Sequence, residues 1–168
     1  MRTSRQGKEE VKASGTFYGM GASLWESTLD GFQEGVAAAH PTPAGVATAA
    51  VTAALGLSLL VKALRITGER PELIEPALGL IRHLRAAADA DVVAVQHYIQ
   101  TRETGALHDP PVVAARAAME GVGLCEQAAG AVKGLIRADI EASTALLQGA
   151  AAAIAACVAA NATPSKSQ

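Results

Sequence analysis

Asp91 and Asp139 have the clearest capacity for chemistry in this sequence, because each lies in or beside an alanine-rich apolar run where a charge needs a reason. A carboxylate held in such surroundings can stabilise a cation or move a proton to and from a reacting atom. Two plainer readings of Asp91 stand beside that one: a partly exposed place on a slightly rotated helix face, or pairing with an arginine. For Asp139 the plain reading is the N-cap of a helix, where an aspartate accepts from the first backbone amides. Asn161 reads most simply as a helix C-terminal residue.

Other chemistries find little support. His83 and His97 share one helical pattern but stand about 21 Å apart along it, too far to hold one ion, and no H-E-x-x-H or Cys/His cluster is present, so no metal site is expected. Cys125 and Cys157 form no C-x-x-C and are too few for a disulfide framework, which makes a reducing cytoplasm the expected setting. Gly19-x-Gly21 and Gly121-x-Gly123 lack a third glycine and a preceding strand, and no G-x-S-x-G occurs.

The elements that must position the carboxylates read as helices. Ser23 and Glu26 have capping-box spacing, so a first helix is expected from about Leu24, with Trp25, Leu29, Phe32 and Val36 as its apolar stripe on the core. It stops at His40-Pro41-Thr42-Pro43, since a proline disfavours helical geometry in the residue before it. A second helix, apolar on every side and therefore central, is expected over 44–66 and ends at Gly68. The third runs from Pro71 to about Thr101 on the stripe Ala77, Leu80 or Ile81, Leu84, Ala88, Val92, Val95 and Ile99. Asp91 falls seven residues after Leu84, on or beside that stripe, while Arg82, Arg85 and Asp89 turn outward. A loop through His108, Asp109 and Pro110-Pro111 leads to a fourth helix over 112–133, and a fifth spans about 139–160. The fold class is thus an all-α, single-domain bundle of about five helices over 21–162, with a flexible N-terminal tail over 1–20 and a C-terminal tail over 163–168.

Composition agrees. The chain has 168 residues, 50% hydrophobic and only 18% charged, enough for one domain with a core and unlike a disordered chain. Aromatics make up 3%, so small side chains that permit close helix approach dominate the apolar surface. A net charge of -2 gives no electrostatic reason to expect nucleic acid. The uncharged runs 44–61 and 142–165 pass a length test for membrane spans, but they lack aromatic belts and clustered flanking cations, so buried bundle helices are the expected reading.

The stretch HPTPAGVATAA over 40–50, followed by an apolar helix ending Leu64-Arg65-Ile66-Thr67, resembles the cyclodeaminase/cyclohydrolase family of folate enzymes. That family includes methenyltetrahydrofolate cyclohydrolase and the cyclodeaminase half of formiminotransferase-cyclodeaminase, and typically shows P-T-P-G-G-G-S at this place. Pro41, Thr42, Pro43 and Gly45 match it, while Ala44, Val46 and Ala47 stand where it has two glycines and a serine; side chains there are expected to narrow a ligand's approach to the backbone. Asp89-Ala90-Asp91-Val92-Val93-Ala94-Val95 is similar to the family's D-x-D-x-x-A-aromatic, and Asp139 to the aspartate opening its last helix. Cys157 falls at a usual asparagine position and Asn161 at the next. The resemblance implies catalysis by Asp91 and Asp139, substrate binding by Pro41, Thr42, Pro43, Gly45 and Asn161, a tetrahydrofolate derivative as substrate, no tightly bound cofactor, and a homodimer. It leaves room for a diverged enzyme acting on another cyclic or amidine-like molecule, or for a non-catalytic helical subunit.

Overall fold

The computed structural model describes residues 23–162, which form an all-helical bundle with no strand among them. The expected tails over 1–20 and 163–168 lie outside these residues. Five α-helices follow in order: α1 (Leu29–Ala37), α2 (Gly45–Thr67), α3 (Ile74–Thr101), α4 (Asp109–Ala129) and α5 (Arg137–Ala162).

Helix α2 is the centre, as its all-round apolar sequence requires. It packs along α3 and α5 and across α4, and its Leu57, Leu60 and Leu64 are fully buried with Leu84 of α3 and Ile140, Leu147 and Ile154 of α5. Each such leucine contributes roughly 2 kcal/mol of transfer free energy. Gly68 ends the helix in the left-handed conformation at φ 69°, its N–H reaching the Leu64 carbonyl at 2.9 Å. Small residues set the spacing of the bundle: a methyl on Gly56 would stand 3.2 Å from Leu146 Cβ, and one on Gly121 of α4 3.0 Å from Leu57 Cδ2. Between α4 and α5 the two buried polar groups Cys125 Sγ and Ser143 Oγ satisfy each other at 3.2 Å.

Several boundaries differ from the sequence expectation. The first helix is broken: Leu24–Glu26 is a single 3-10 turn, and α1 restarts at Leu29 with Thr28 as its N-cap, the Thr28 hydroxyl accepting from Gly31 N at 3.0 Å. Ser23 does cap, accepting from Trp25 N at 3.2 Å, but no residue of α1 is buried and Leu29 is 78% exposed. The anchoring instead lies before α1. Asp89, expected to face outward, accepts from Ser23 Oγ at 2.7 Å and from Leu24 N at 2.8 Å, while the Trp25 indole donates to the Arg85 carbonyl at 3.2 Å and Arg85 stacks over its ring at 4.9 Å. Helix α4 begins at Asp109 rather than after the proline pair, because Pro110 and Pro111 fit a first turn whose amides need no partner; both are buried. It also ends earlier, at Ala129. On α3 the buried stripe fades at its end, where Ile99 is exposed.

The strap makes a simple expectation. Asp89→Ala removes both acceptors, so the segment carrying Trp25, the chain's single tryptophan, should release from α3. Indole fluorescence should shift to longer wavelength and become more accessible to a soluble quencher, with a stability loss of about 1 kcal/mol. Unaltered emission would place the anchoring elsewhere.

Candidate functional site

The Pro-Thr-Pro loop delivers the chain to the first turn of α2 at one end of the bundle. Pro41 is exposed, Thr42 and Pro43 are buried, and the Thr42–Pro43 peptide is cis. The imidazole Nδ1 of His40 lies 3.2 Å from the Thr42 carbonyl, and the Thr42 hydroxyl has no hydrogen-bond partner among the described residues. Ala44, the N-cap, offers no side-chain acceptor, so the leading amides of α2 must find partners elsewhere.

Asp91 supplies one. From α3 its Oδ2 accepts the Ala47 N–H at 3.1 Å, a cap provided 44 residues along the chain, and Oδ1 has no partner among the described residues. The residue is 4% exposed. Burial raises the carboxyl to about 6, and the Ala47 amide partly opposes that rise by favouring the anion. Neither plainer reading of Asp91 holds among the described residues: it is not on an exposed face, and no arginine pairs with it. Its position on the buried stripe is as the spacing of α3 predicts.

The third wall comes from α5. Cys157 Sγ would stand 2.7 Å from a methyl added to Gly45, closer than real atoms approach, so Gly45 is bare because α5 passes against it. The resemblance identified position 157 only as a substitution for asparagine; its packing on the loop was not legible in the spacing. Val46 and Ala47, expected to narrow a ligand's approach, turn inward instead: both are buried and Ala47 belongs to the core. Among the residues of the altered loop, Ala44 and Gly45 are those left at least partly accessible.

Two of the expected site residues stand apart. Asp139 is not an N-cap; it is the third residue of α5, and its Oδ2 pairs with Lys62 Nζ at 2.8 Å. Lys62 lies fifteen residues after Ala47 on α2, so within one chain Asp139 is about 22 Å along that helix from the amide that holds Asp91. The two carboxylates do not share a centre in a single chain. Asn161 is exposed on the last turn of α5, one turn beyond Cys157. Among the described residues no three His, Cys, Asp or Glu side chains gather as a metal site.

Gly45→Ala tests the close approach. The new methyl must displace the Cys157 thiol, at a cost of about 1 to 2 kcal/mol, and Cys157→Ala in the same chain should return most of that loss. Independent effects in a chemical-denaturation cycle would remove the contact from the explanation.

A helical bundle with a buried carboxylate clasping the first turn of its central helix, directly after a Pro-Thr-Pro loop, is the class of protein that fold and site define. Residues 28–109 match the family model described as formiminotransferase-cyclodeaminase. The match covers α1, the loop, α2 and α3, hence Asp91 and every loop residue named above, and stops where α4 begins, short of Asp139, Cys157 and Asn161. No match is found among curated proteins.

Proposed function

We propose that this protein is a one-carbon tetrahydrofolate enzyme of the cyclohydrolase or cyclodeaminase type, with its site at Asp91, Pro41, Thr42, Pro43 and Gly45. The observation that carries the reading is Asp91: a buried carboxyl with one oxygen fixed by a backbone amide and the other without a partner among the described residues, raised by burial to about 6, within the family-matched segment. A methenyl-tetrahydrofolate carries an amidinium-like cation. A carboxylate beside it stabilises that charge, and the same group accepts a proton from the water that adds to the methenyl carbon before a ring C–N bond breaks. In the cyclodeaminase variant the nitrogen outside the pterin ring, N10, attacks the formimino carbon borne by ring nitrogen N5, the carboxyl relays the proton that N10 loses to the formimino nitrogen, and the C–N bond to that nitrogen breaks to release ammonia. Asn161 belongs at the rim, near Cys157. Asp139, bound to Lys62, serves this chain's site only if another copy brings it there. The reading implies a cytoplasmic homodimer; the apolar surface that α5 leaves uncovered supports the second copy, since in an apolar eighteen-residue window of 134–161 only 22% is buried, against 61% in one of α2.

Thermal melting with 5,10-methenyl-, 5-formyl- and 5-formiminotetrahydrofolate tests this. A ligand bound only by the folded state, at a hundred times its dissociation constant, adds about 2.7 kcal/mol. The midpoint should rise by roughly 5 to 10 °C for a chain of this size. Three flat responses from well-folded protein would overturn the reading.

A further inference from the structure

We infer that the end of α3 is a second subsite of the Asp91 centre, where Val95 and Tyr98 take a flat aromatic segment of the ligand and Arg102 takes a carboxylate beyond it. This rests on the proposed function and assigns the part of the substrate that does not react. A short connection reverses the chain between α2 and α3, and Asp91, late in α3, meets Ala47 in the first turn of α2. From Asp91 the helix continues ten residues to Thr101, about 15 Å further. Beyond Gly45 the helix that covers this face of α3 is gone.

Helical spacing determines which residues that face presents. Val95, Tyr98 and Arg102 stand four, seven and eleven residues after Asp91, so all four lie on the line that packs against α2 further back. Exposure rises along it as the cover is lost: Asp91 is buried, Val95 and Tyr98 are half-buried, and Arg102 is exposed. On the other flank of α2 the inner line of α5 does the same, with Ile154 buried, Cys157 against Gly45, and Asn161 exposed one turn on.

Arg102 supplies the observation that points to a ligand. Among the described residues, Arg70 and Arg102 are the non-glycine residues at positive φ, 49° and 63°, a conformation that Gly68 adopts at the end of α2 without strain. The side chain of Arg70 accounts for its place, since it donates to the Gln127 carbonyl at 2.7 Å and pairs with Glu72. Arg102 closes α3 with its backbone N–H on the Tyr98 carbonyl at 2.8 Å, a bond that a glycine would make equally well. Its guanidinium lies over the Tyr98 ring, 5.8 Å from the centroid, and has no acceptor among the described residues. A planar fork of donors held against an aromatic ring, with none of its N–H groups spent, suits a carboxylate. Distance decides what joins the two ends. Tyr98 stands about 10 Å beyond Asp91 along the helix, with the guanidinium folded over it, so the ligand needs an aryl ring and then an acid. A tetrahydrofolate has that form, because an aminobenzoyl ring ending in glutamate extends from its reacting nitrogens.

The test titrates the full chain calorimetrically with 5-formyltetrahydrofolate and with 5-formyl-6-methyltetrahydropterin, which keeps the ring system and lacks the tail. The wild type should bind the folate at least about tenfold more tightly than the pterin. Arg102→Gln should weaken folate binding about tenfold and leave pterin binding unchanged, whereas Arg102→Lys, which keeps the charge, should recover part of the loss. Tyr98→Leu should weaken the folate several-fold and Tyr98→Phe hardly at all, since the ring face is what the ligand meets. Arg102 is exposed, so its variants should melt with the wild type when unliganded. A wild-type chain that binds neither compound would overturn both the proposed function and this subsite. Folate binding indifferent to Arg102→Gln, or a pterin bound as tightly as the folate, would overturn the subsite alone and leave the function standing. Self-association lost in Arg102→Gln with folate affinity intact would give this surface to a second copy and likewise overturn the inference.

Discussion

Asp91→Asn should reduce turnover of the tetrahydrofolate substrate by a factor of about 10² to 10⁴ while leaving the protein as stable as before, or more so. The asparagine side-chain oxygen can still accept the Ala47 amide, so the clasp on α2 survives. What disappears is the charge. Because burial raises the Asp91 carboxyl from an ordinary value near 3.8 to about 6, the folded state holds this proton over a range where the unfolded chain has released it. Stability is therefore greatest below about pH 4 as far as this group is concerned, and falls as pH rises through 6, by on the order of 3 kcal/mol. The variant should lack that segment of the pH dependence and at pH 7 should melt no lower than the wild type. Activity runs the other way in the wild type. A carboxylate that stabilises a cation and takes a proton from water works only when ionised, so the rate should climb with pH through about 6. Melting curves and rates at matched pH values check both halves. A fully active variant would remove Asp91 from the catalytic centre, and a large loss of stability with unchanged activity per folded molecule would make it purely structural.

The largest effect on the fold is expected at the junction of α2, α4 and α5. Leu147 is fully buried, with its Cγ 3.5 Å from where a methyl on Gly56 would stand and both Cδ atoms 3.2 Å from one on Gly121. Leu147→Ala leaves a cavity walled by rigid helix backbones, with little to collapse into it, and should cost about 3 kcal/mol, within the 2 to 5 range for such truncations. The melting midpoint should fall by roughly 6 to 12 °C. Gly121→Ala alone gains helix propensity but crowds Leu57 and Leu147, so it too should destabilise or at best be neutral. Combined with Leu147→Ala the added methyl enters vacated space on one side, and the pair should be more stable than the sum of the single changes predicts by about 1 to 2 kcal/mol. Strict additivity in denaturant titrations would mean that the two residues do not share a packing site.

How far this was legible from residues alone depends on the range of the interaction that decides each feature. Local rules sufficed for the helices: the proline loop before Ala44, the glycine at 68 and the apolar run between them delimit α2 to within a residue, and the spacing from Leu84 puts Asp91 on the buried face of α3. They failed where two local signals compete. Ser23 and Thr28 are both good caps five residues apart, and the second one wins, splitting a helix that the apolar spacing alone would continue. Pro110 and Pro111 block a helix interior yet suit a first turn, and only the burial of both side chains selects the second outcome.

Tertiary structure alone decided what each chemically capable group meets. The partner of Asp91 is a backbone amide 44 residues away, and an amide is the same in every residue, so no side-chain pattern announces it. Asp89, two residues earlier on the same helix, is drawn to Ser23 and Leu24, and Asp139 is drawn to Lys62 at the other end of α2, because a carboxylate leaving water takes whichever donors the packing of distant elements presents. Gly45 shows the same dependence: the sequence records that a side chain is missing, and only the passage of α5 across the loop, with Cys157 against it, supplies the reason. Helical periodicity determines which face a residue takes, whereas which faces meet follows from closing the whole bundle at native density, a condition no short stretch of sequence carries.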